Sequence, residues 1–566
     1  MLEMTGDQGP TAELSTRSAA GSHPRKQAAS RRGHGSIVVA EIISAFLAAV
    51  LLLLLSRTIS VNPLDRIGQV SALAGIALRF TIFGILLLTL VILAQWWRGG
   101  RLFPLASRLA CAAVAGLATG IVGSGVLIAL HGTTWPLFAD LGDSGVLGAW
   151  IGGAPMPDSY PPLAINLIGL WADISDTSAA EALRISQIVG TAFFGPIAYL
   201  AWRLLLSPPW ALALGLTASL PLIEPYKPYS TIVLVALIPV IIKMLTVLRL
   251  SGTLRWGWIL GYGLILGAVL GVLFVTYSGW FVWSAAGVIL AAAIVFPWRT
   301  GSARGVTLLA VAVVAFGIVA GRQLLAILRA SNATTDDYFY FDTDVQPAYI
   351  TMWRGDLPGN TGPWPPPGEL AGVGLFSLTL VVGLGVAIAI AREKTVIIGL
   401  SLIMASAWIM RFWFASRMYE TQTVQLYPRT SQLILHCLLL LLGFAAYFGV
   451  ERLRGAITRD TTALDVFDST RDRTYSPGRG ARSATIGALS AALLLALFAG
   501  SATADRYMPR EDDSVGFLAY VSQMLRQQDG QCPAFSRPDR CTADGAALLG
   551  RSKSAAEESS GADNSG

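Results

Sequence analysis

Residues 257–276 read GWILGYGLILGAVLGVLFVT, an unbroken apolar run without one charged side chain. About 20 such residues are what a helix needs to cross the hydrocarbon core of a bilayer. The run shows no strict alternation, so it is not the strand of a membrane barrel. Lipid cannot satisfy open backbone groups, so the segment must close its own hydrogen bonds as a helix. Comparable runs fall at about 37–56, 72–95, 109–130, 184–206, 209–223, 229–248, 281–297, 305–329, 370–391, 395–414, 429–450 and 483–503. The expected fold class is an all-α polytopic membrane protein with about 13 transmembrane helices.

Composition points the same way. Hydrophobic residues make up 54% of the 566-residue chain and charged residues 13%, against about 25% charged in a soluble domain. The net charge of +6 comes from cations scattered over the turns between spans. That distribution argues against a nucleic-acid partner and reads as an orientation signal. Residues 1–36 are rich in Gly, Ser, Ala and Arg and lack apolar periodicity, so we expect a disordered cytoplasmic arm. A signal peptide is the competing reading, but no convincing small-residue cleavage site follows Leu55.

With the N-terminus inside, the inner turns hold Arg98, Arg101 and Arg108, then Arg249 and Arg255, Arg299 and Arg304, and Arg392 and Lys394. Seven further arginines lie in 451–482, whereas the outer loops keep most of the aspartates. This pattern follows the positive-inside rule and predicts a multi-pass protein of the cell membrane. An odd span count puts the tail, 504–566, in the extracytoplasmic space, with a short amphipathic helix near 515–525. There Cys532 and Cys541 would pair as a disulfide. Cys111 and Cys437 fall inside apolar runs and read as packing residues. The stretch 163–171 is apolar but too short to cross, and is expected to lie at the interface or dip into it.

Two outer loops, 132–183 and 330–369, are long and rich in aromatic residues and proline, which marks structured, functional loops. The first contains Trp135-Pro-Leu-Phe-Ala-Asp140-Leu-Gly-Asp143-Ser144 and Pro157-Asp158-Ser-Tyr160-Pro-Pro162. Gly142 and Gly145 allow a sharp turn around Asp143. A carboxylate beside a membrane surface can take a proton from a hydroxyl group or hold a cation. The bland alternative is that these aspartates only form turns and caps. The second loop holds Asp336-Asp337-Tyr-Phe-Tyr340-Phe-Asp342-Thr-Asp344 and the proline run around Trp364. Rings that stack on sugars and carboxylates that bind hydroxyls suit carbohydrate. An interfacial aromatic belt explains the rings but not so many acids.

Cations on the outer side are scarce. Lys227 lies in Pro225-Tyr-Lys227-Pro-Tyr229, and Arg417 and Arg429 flank 416–429. Each can neutralise a lipid-borne phosphate, Arg through two parallel bonds; snorkelling is the ordinary alternative. Tyr277-Ser-Gly-Trp280-Phe281 sits at a tight outer turn and either shapes a groove or anchors the interface.

These motifs, spread over about 130–450, resemble those of the GT-C superfamily of membrane glycosyltransferases. More narrowly, they resemble the actinobacterial arabinofuranosyltransferases that prime galactan. The resemblance rests on Gly142-Asp143, 158–162, 225–229, 277–281, 337–342, the Trp364 proline run and Tyr427-Pro-Arg429. It implies a GT-C-like transmembrane catalytic region over 37–503. The implied donor is decaprenyl-phosphoryl arabinofuranose, the acceptor is galactan or another lipid-linked glycan, and no nucleotide cofactor takes part. It further implies an inverting transfer with Asp143 as base and Asp158 as a sugar contact or metal ligand, with Asp140 the third catalytic candidate. Lys227, Arg417 and Arg429 would bind phosphate, and Tyr229, Trp280, Asp337, Asp342 and Trp364 would face the sugars. A divalent cation is the one cofactor this chemistry admits. Two other readings stay open: a GT-C transferase for another polyprenyl-phosphate sugar such as mannose, and a non-enzymatic lipid or sugar transporter. The tail departs from the pattern, since some related enzymes carry a larger external domain.

Overall fold

The computed structural model describes residues 24–97, 101–330, 375–421, 430–457, 479–512, 514–545 and 547–548. Among them the protein is all-helical, with one isolated bridge between Leu525 and Thr542. In chain order the helices are α1 (Pro24–Ser56), α2 (Arg66–Trp96), α3 (Phe103–Ala129), α4 (Gly142–Ile151), α5 (Leu163–Ser175) and α6 (Ala179–Arg203). Then come α7 (Pro208–Ser219), α8 (Pro228–Leu250), α9 (Trp256–Thr276), α10 (Gly279–Val295) and α11 (Ser302–Ala330). The last are α12 (Leu375–Ala391), α13 (Thr395–Ser416), α14 (Thr430–Ile457), α15 (Arg479–Arg506) and α16 (Phe517–Met524).

Among the described residues, 10 helices are long and apolar enough to cross a membrane. Three of the thirteen expected spans form shorter elements. The run at 209–223 breaks into α7 and the 3-10 turn Leu220–Leu222, because Pro221 cannot continue the α-helical ladder. The runs at 281–297 and 370–391 give α10 and α12, each of 17 residues. At the other extreme α1 starts at Pro24, so the end of the expected 1–36 arm is helical. Proline at the first helical position, followed by Arg, Lys, Gln and Ala, favours that start. The loop expected at 132–183 is mostly ordered helix, since α4, α5 and the start of α6 occupy it.

Two helices form the centre. From Ala110 onward nearly every residue of α3 is buried, and the helix packs on α1, α2, α6 and α15. Lipid tails are as apolar as leucine, so such contacts rest on close packing of small residues. A Cβ on Gly116 would lie 2.1 Å from the Ala45 carbonyl oxygen, so only glycine permits the α1–α3 approach. The second buried helix, α8, packs on α6, α9, α10 and α13, and α11 lies along α9.

The end of the bundle carrying Arg108 and Arg203 holds a buried charge cluster. Glu41 is 3% exposed. Its carboxylate accepts from Tyr199 Oη (2.5 Å), Arg203 Nε (2.6 Å) and Arg108 Nη2 (3.1 Å). A buried carboxylate survives only with such compensation, and this one pins α1, α3 and α6 together. At the other end of α3, the segment after α15 folds back over residues 131–141. The tail and the aspartate-bearing loop therefore share one face of the bundle. On that face α5 buries Ala164, Ile165 and Ala172 and exposes Leu167, Leu170, Trp171 and Ile174. This is the two-sided pattern of a helix lying in a membrane interface.

Candidate functional site

Residues 131–141 are held by side chains from two directions. From α6, Arg184 donates to the Thr133 carbonyl (2.8 Å), while the Gln187 side-chain oxygen accepts from the Leu137 N–H (2.8 Å). From the tail helix α16, Ser522 donates to the Pro136 carbonyl (2.5 Å) and Gln523 donates to the carbonyls of Ala129 and His131, both at 2.9 Å. The Phe138 N–H in turn donates to the Leu518 carbonyl (2.8 Å). This grip keeps Phe138 and Ala139 at φ of 70° and 50°, a left-handed conformation that costs a non-glycine residue energy. Strain of this kind, held by surrounding structure, is what a loop that aims a side chain requires.

What it aims is α4. Gly142 (φ +50°) makes the turn into the helix, and a Cβ on Gly145 would lie 1.9 Å from the Asp140 carbonyl oxygen. Asp143 thus stands in the first turn of α4, where the helix dipole favours a negative charge. The residue before the helix, Leu141, has no side chain that caps it. Tyr226 does so instead: its hydroxyl oxygen accepts from the Ser144 N–H at 3.1 Å, satisfying a donor that the helix start leaves open. Next to it, Lys227 forms an ion pair with Asp143. Gln187 closes the frame by donating to the Tyr226 carbonyl (3.0 Å). One buried glutamine thereby sets the distance between the Asp143 loop and the Lys227 loop.

Burial, and then the nearby Asp143 charge, push the Tyr226 phenol up to about 12, so it stays neutral as a cap. An unfolded tyrosine titrates near ~10, so this contribution to stability is complete below that pH and is lost as pH rises through about 12. Thermal unfolding of wild type and Tyr226→Phe should converge over that window.

An aromatic shelf borders the ion pair. The Tyr160 and Tyr229 hydroxyls are 2.6 Å apart, with Trp150 tilted against Tyr160 (4.6 Å between centroids) and Tyr277 beyond Tyr229 (6.4 Å). Tyr229, Tyr160 and Tyr277 are partly exposed. Trp280, expected to face the sugar, is instead buried, and its indole N–H donates to the Ser230 carbonyl (2.7 Å). It braces α10 against α8 because a buried indole must spend its N–H on a partner.

Asp140 and Asp158 are exposed and have no side-chain polar partner among the described residues. Among those residues no three His, Cys, Asp or Glu side chains gather around a metal position. Arg417 ends α13, with its guanidinium 4.3 Å from the Trp413 ring. Asp337, Asp342, Trp364 and Arg429 lie outside the described residues. Cys532 and Cys541 are joined by a disulfide with a Cα–Cα distance of 5.9 Å, and Cys111 and Cys437 are buried thiols.

Sequence reasoning missed Gln187, Ser522, Gln523 and Glu41. The signal for Gln187 and Glu41 is a polar side chain inside an apolar run, which lipid tolerates only with a partner. Gln523→Leu would leave two carbonyls unserved, at a cost of about 1–3 kcal/mol. Amide exchange at 131–141 is expected to speed up in that variant while α8 stays protected, as hydrogen-exchange mass spectrometry would show. No family model matches the chain, and no curated protein matches it.

Proposed function

We propose that the protein is a membrane glycosyltransferase that moves an arabinofuranosyl unit from decaprenyl-phosphoryl arabinofuranose to galactan. The observation that carries this reading is the Asp143–Lys227 pair, an acid and a cation side by side next to a shelf of tyrosines. In the proposed transfer, Asp143 takes the proton of an acceptor hydroxyl. That oxygen attacks the anomeric carbon from the face opposite the phosphate, and the bond from carbon to phosphate oxygen breaks. Decaprenyl phosphate leaves with the electron pair. Charge grows on the phosphate as the bond breaks, so Lys227 stabilises the transition state more than the bound donor.

The pair has to open for this. Its side chains are 20% and 53% exposed, and exposed ion pairs are worth only ~0–1 kcal/mol. A donor phosphate can therefore draw Lys227 away at little cost and free the carboxylate to act as base.

Topology supports an external site. Among the described residues, seven of the ten long apolar helices lie between 131–141 and the tail, yet the two share a face. An even number of crossings must separate them, so among the described helices one or three of α7, α10 and α12 also cross. Three give thirteen spans with the N-terminus inside and the aspartate face outside, which agrees with the positive-inside rule.

The decisive assay uses the purified protein in detergent, without a membrane gradient. It is expected to consume lipid-linked arabinofuranose in the presence of galactan acceptor. Turnover of lipid-linked mannose instead would reassign the sugar. No turnover of either donor, together with gradient-driven uptake in vesicles, would replace the enzyme by a transporter.

A further inference from the structure

One basic side chain stands at membrane depth, far from the Asp143–Lys227 pair. Lys243 lies roughly 24 Å down α8 from Lys227 and roughly 10 Å short of the far end of the helix at Leu250, at about 1.5 Å per residue. It is partly buried. Its ammonium lies 5.8 Å from the centroid of the Tyr262 ring of α9, and among the described residues it has no hydrogen bond and no ion pair. A charge at such a depth is costly in hydrocarbon, and membrane helices normally give it a partner.

The chain nearby offers none. Between Glu224 and Asp336 the sequence has no acidic residue, so α8, α9, α10, α11 and their turns supply cations and no carboxylate. At the far end of α8, Arg249 donates to the Glu393 carbonyl (2.6 Å), and among the described residues the Glu393 carboxylate forms no ion pair. Arg304 donates to the Gly252 carbonyl (2.6 Å), with its guanidinium 5.6 Å from the Trp256 ring. These neutral acceptors leave both charges uncompensated. Arg255, exposed at the start of α9, has no side-chain partner among the described residues. Arg255, Trp258 and Tyr262 fall on one face of α9, because residues three and four apart are neighbours on a helix. The Trp258 and Tyr262 rings stack at 5.9 Å, and Trp258 is 55% exposed. A strip therefore runs from Arg255 past two rings to Lys243.

We propose that this strip binds the phosphate of an anionic phospholipid in the leaflet opposite the Asp143 face. Depth and charge choose the occupant. A headgroup sits where Trp and Tyr gather, at the boundary between hydrocarbon and water. The apolar stem of Lys243 can extend along the helices toward that boundary, while Arg255 reaches it from the end of α9. Between them a phosphodiester would accept from the ammonium and from two guanidinium N–H groups. Phosphatidylcholine carries a cation of its own beside the phosphate, so a strip of cations without an acid favours lipids of net negative charge. Leu260, Leu264 and Ile265 are exposed along the same helix, where the acyl chains of such a lipid would lie.

The test takes the full-length protein in detergent and adds dioleoylphosphatidylglycerol, dioleoylphosphatidylcholine or soluble glycerol phosphate. The thermal midpoint is expected to rise with phosphatidylglycerol and, at equal concentration, with neither of the others. Native mass spectrometry should show phosphatidylglycerol retained by wild type and bound about tenfold more weakly by Lys243→Met, the usual effect of losing a charged hydrogen bond. Lys243→Arg keeps the charge and should keep the preference. Arg255→Gln is a second variant, at an exposed position where the fold is not at stake, and should weaken retention in the same way. Arg101→Gln, which removes an exposed cation elsewhere, should change nothing. Equal stabilisation by both lipids, retention undiminished in Lys243→Met and Arg255→Gln, or the same rise with glycerol phosphate would overturn the proposal and leave Lys243 as a lysine that snorkels to water. Sugar transfer enters none of these readouts, so the lipid site stands or falls apart from the transferase.

Discussion

Asp143→Asn is expected to lower sugar transfer about 10²–10⁴-fold, the usual contribution of a positioned general base. Asparagine keeps the shape of the side chain but cannot accept the hydroxyl proton. The fold should hardly notice, because Asp143 is half-exposed and pairs open to solvent contribute ~0–1 kcal/mol. A large loss of rate with an unchanged thermal midpoint would therefore separate chemistry from stability. Lys227→Met sharpens the point. If Lys227 stabilises the leaving phosphate, its loss costs about 10²–10³-fold, as for other electrostatic donors. The double variant should then fall below either single one. If Lys227 only holds Asp143 in place, the double variant will match Asp143→Asn. Transfer at the wild-type rate by Asp143→Asn would take the carboxylate out of the reaction altogether.

The second large effect is on the fold. Glu41→Leu is expected to destabilise the protein by about 3–5 kcal/mol, since it strands Arg108 and Arg203 around a site with no anion. Glu41→Gln should cost less, because its oxygen can still accept from Tyr199 and one arginine. Combining Glu41→Leu with Arg203→Leu should recover part of the loss, as neighbours in one network are not additive. Thermal unfolding in detergent reads all three. A midpoint unchanged by Glu41→Leu would mean that the cluster does not hold α1, α3 and α6 together.

Much of the site was legible as residue types and little of it as geometry. The acid and basic motifs at 140–144 and 225–229 stand out from the sequence because charge is rare in an apolar chain. Nothing in their spacing shows that Lys227 reaches Asp143, since α5, α6 and α7 intervene. Gln187 and Tyr226 create that meeting, one as a strut between two loops and the other as a cap for α4. The aromatic motif 277–281 was equally plain, yet burial divides it: Tyr277 joins the shelf and Trp280 becomes a brace. The short polar tail gave no sign that Ser522 and Gln523 would support the 131–141 backbone.

The sequence by itself determined that this chain lives in lipid as a bundle of helices, because backbone desolvation in hydrocarbon leaves no other option for its long apolar runs. It also marked the face where acids outnumber cations. Which runs became full-length helices and which acid met which base were decided only by tertiary packing. Those outcomes depend on close approach between segments far apart in the chain, such as Gly116 against Ala45 and Phe316 against Phe274. Local hydropathy carries no record of such distances.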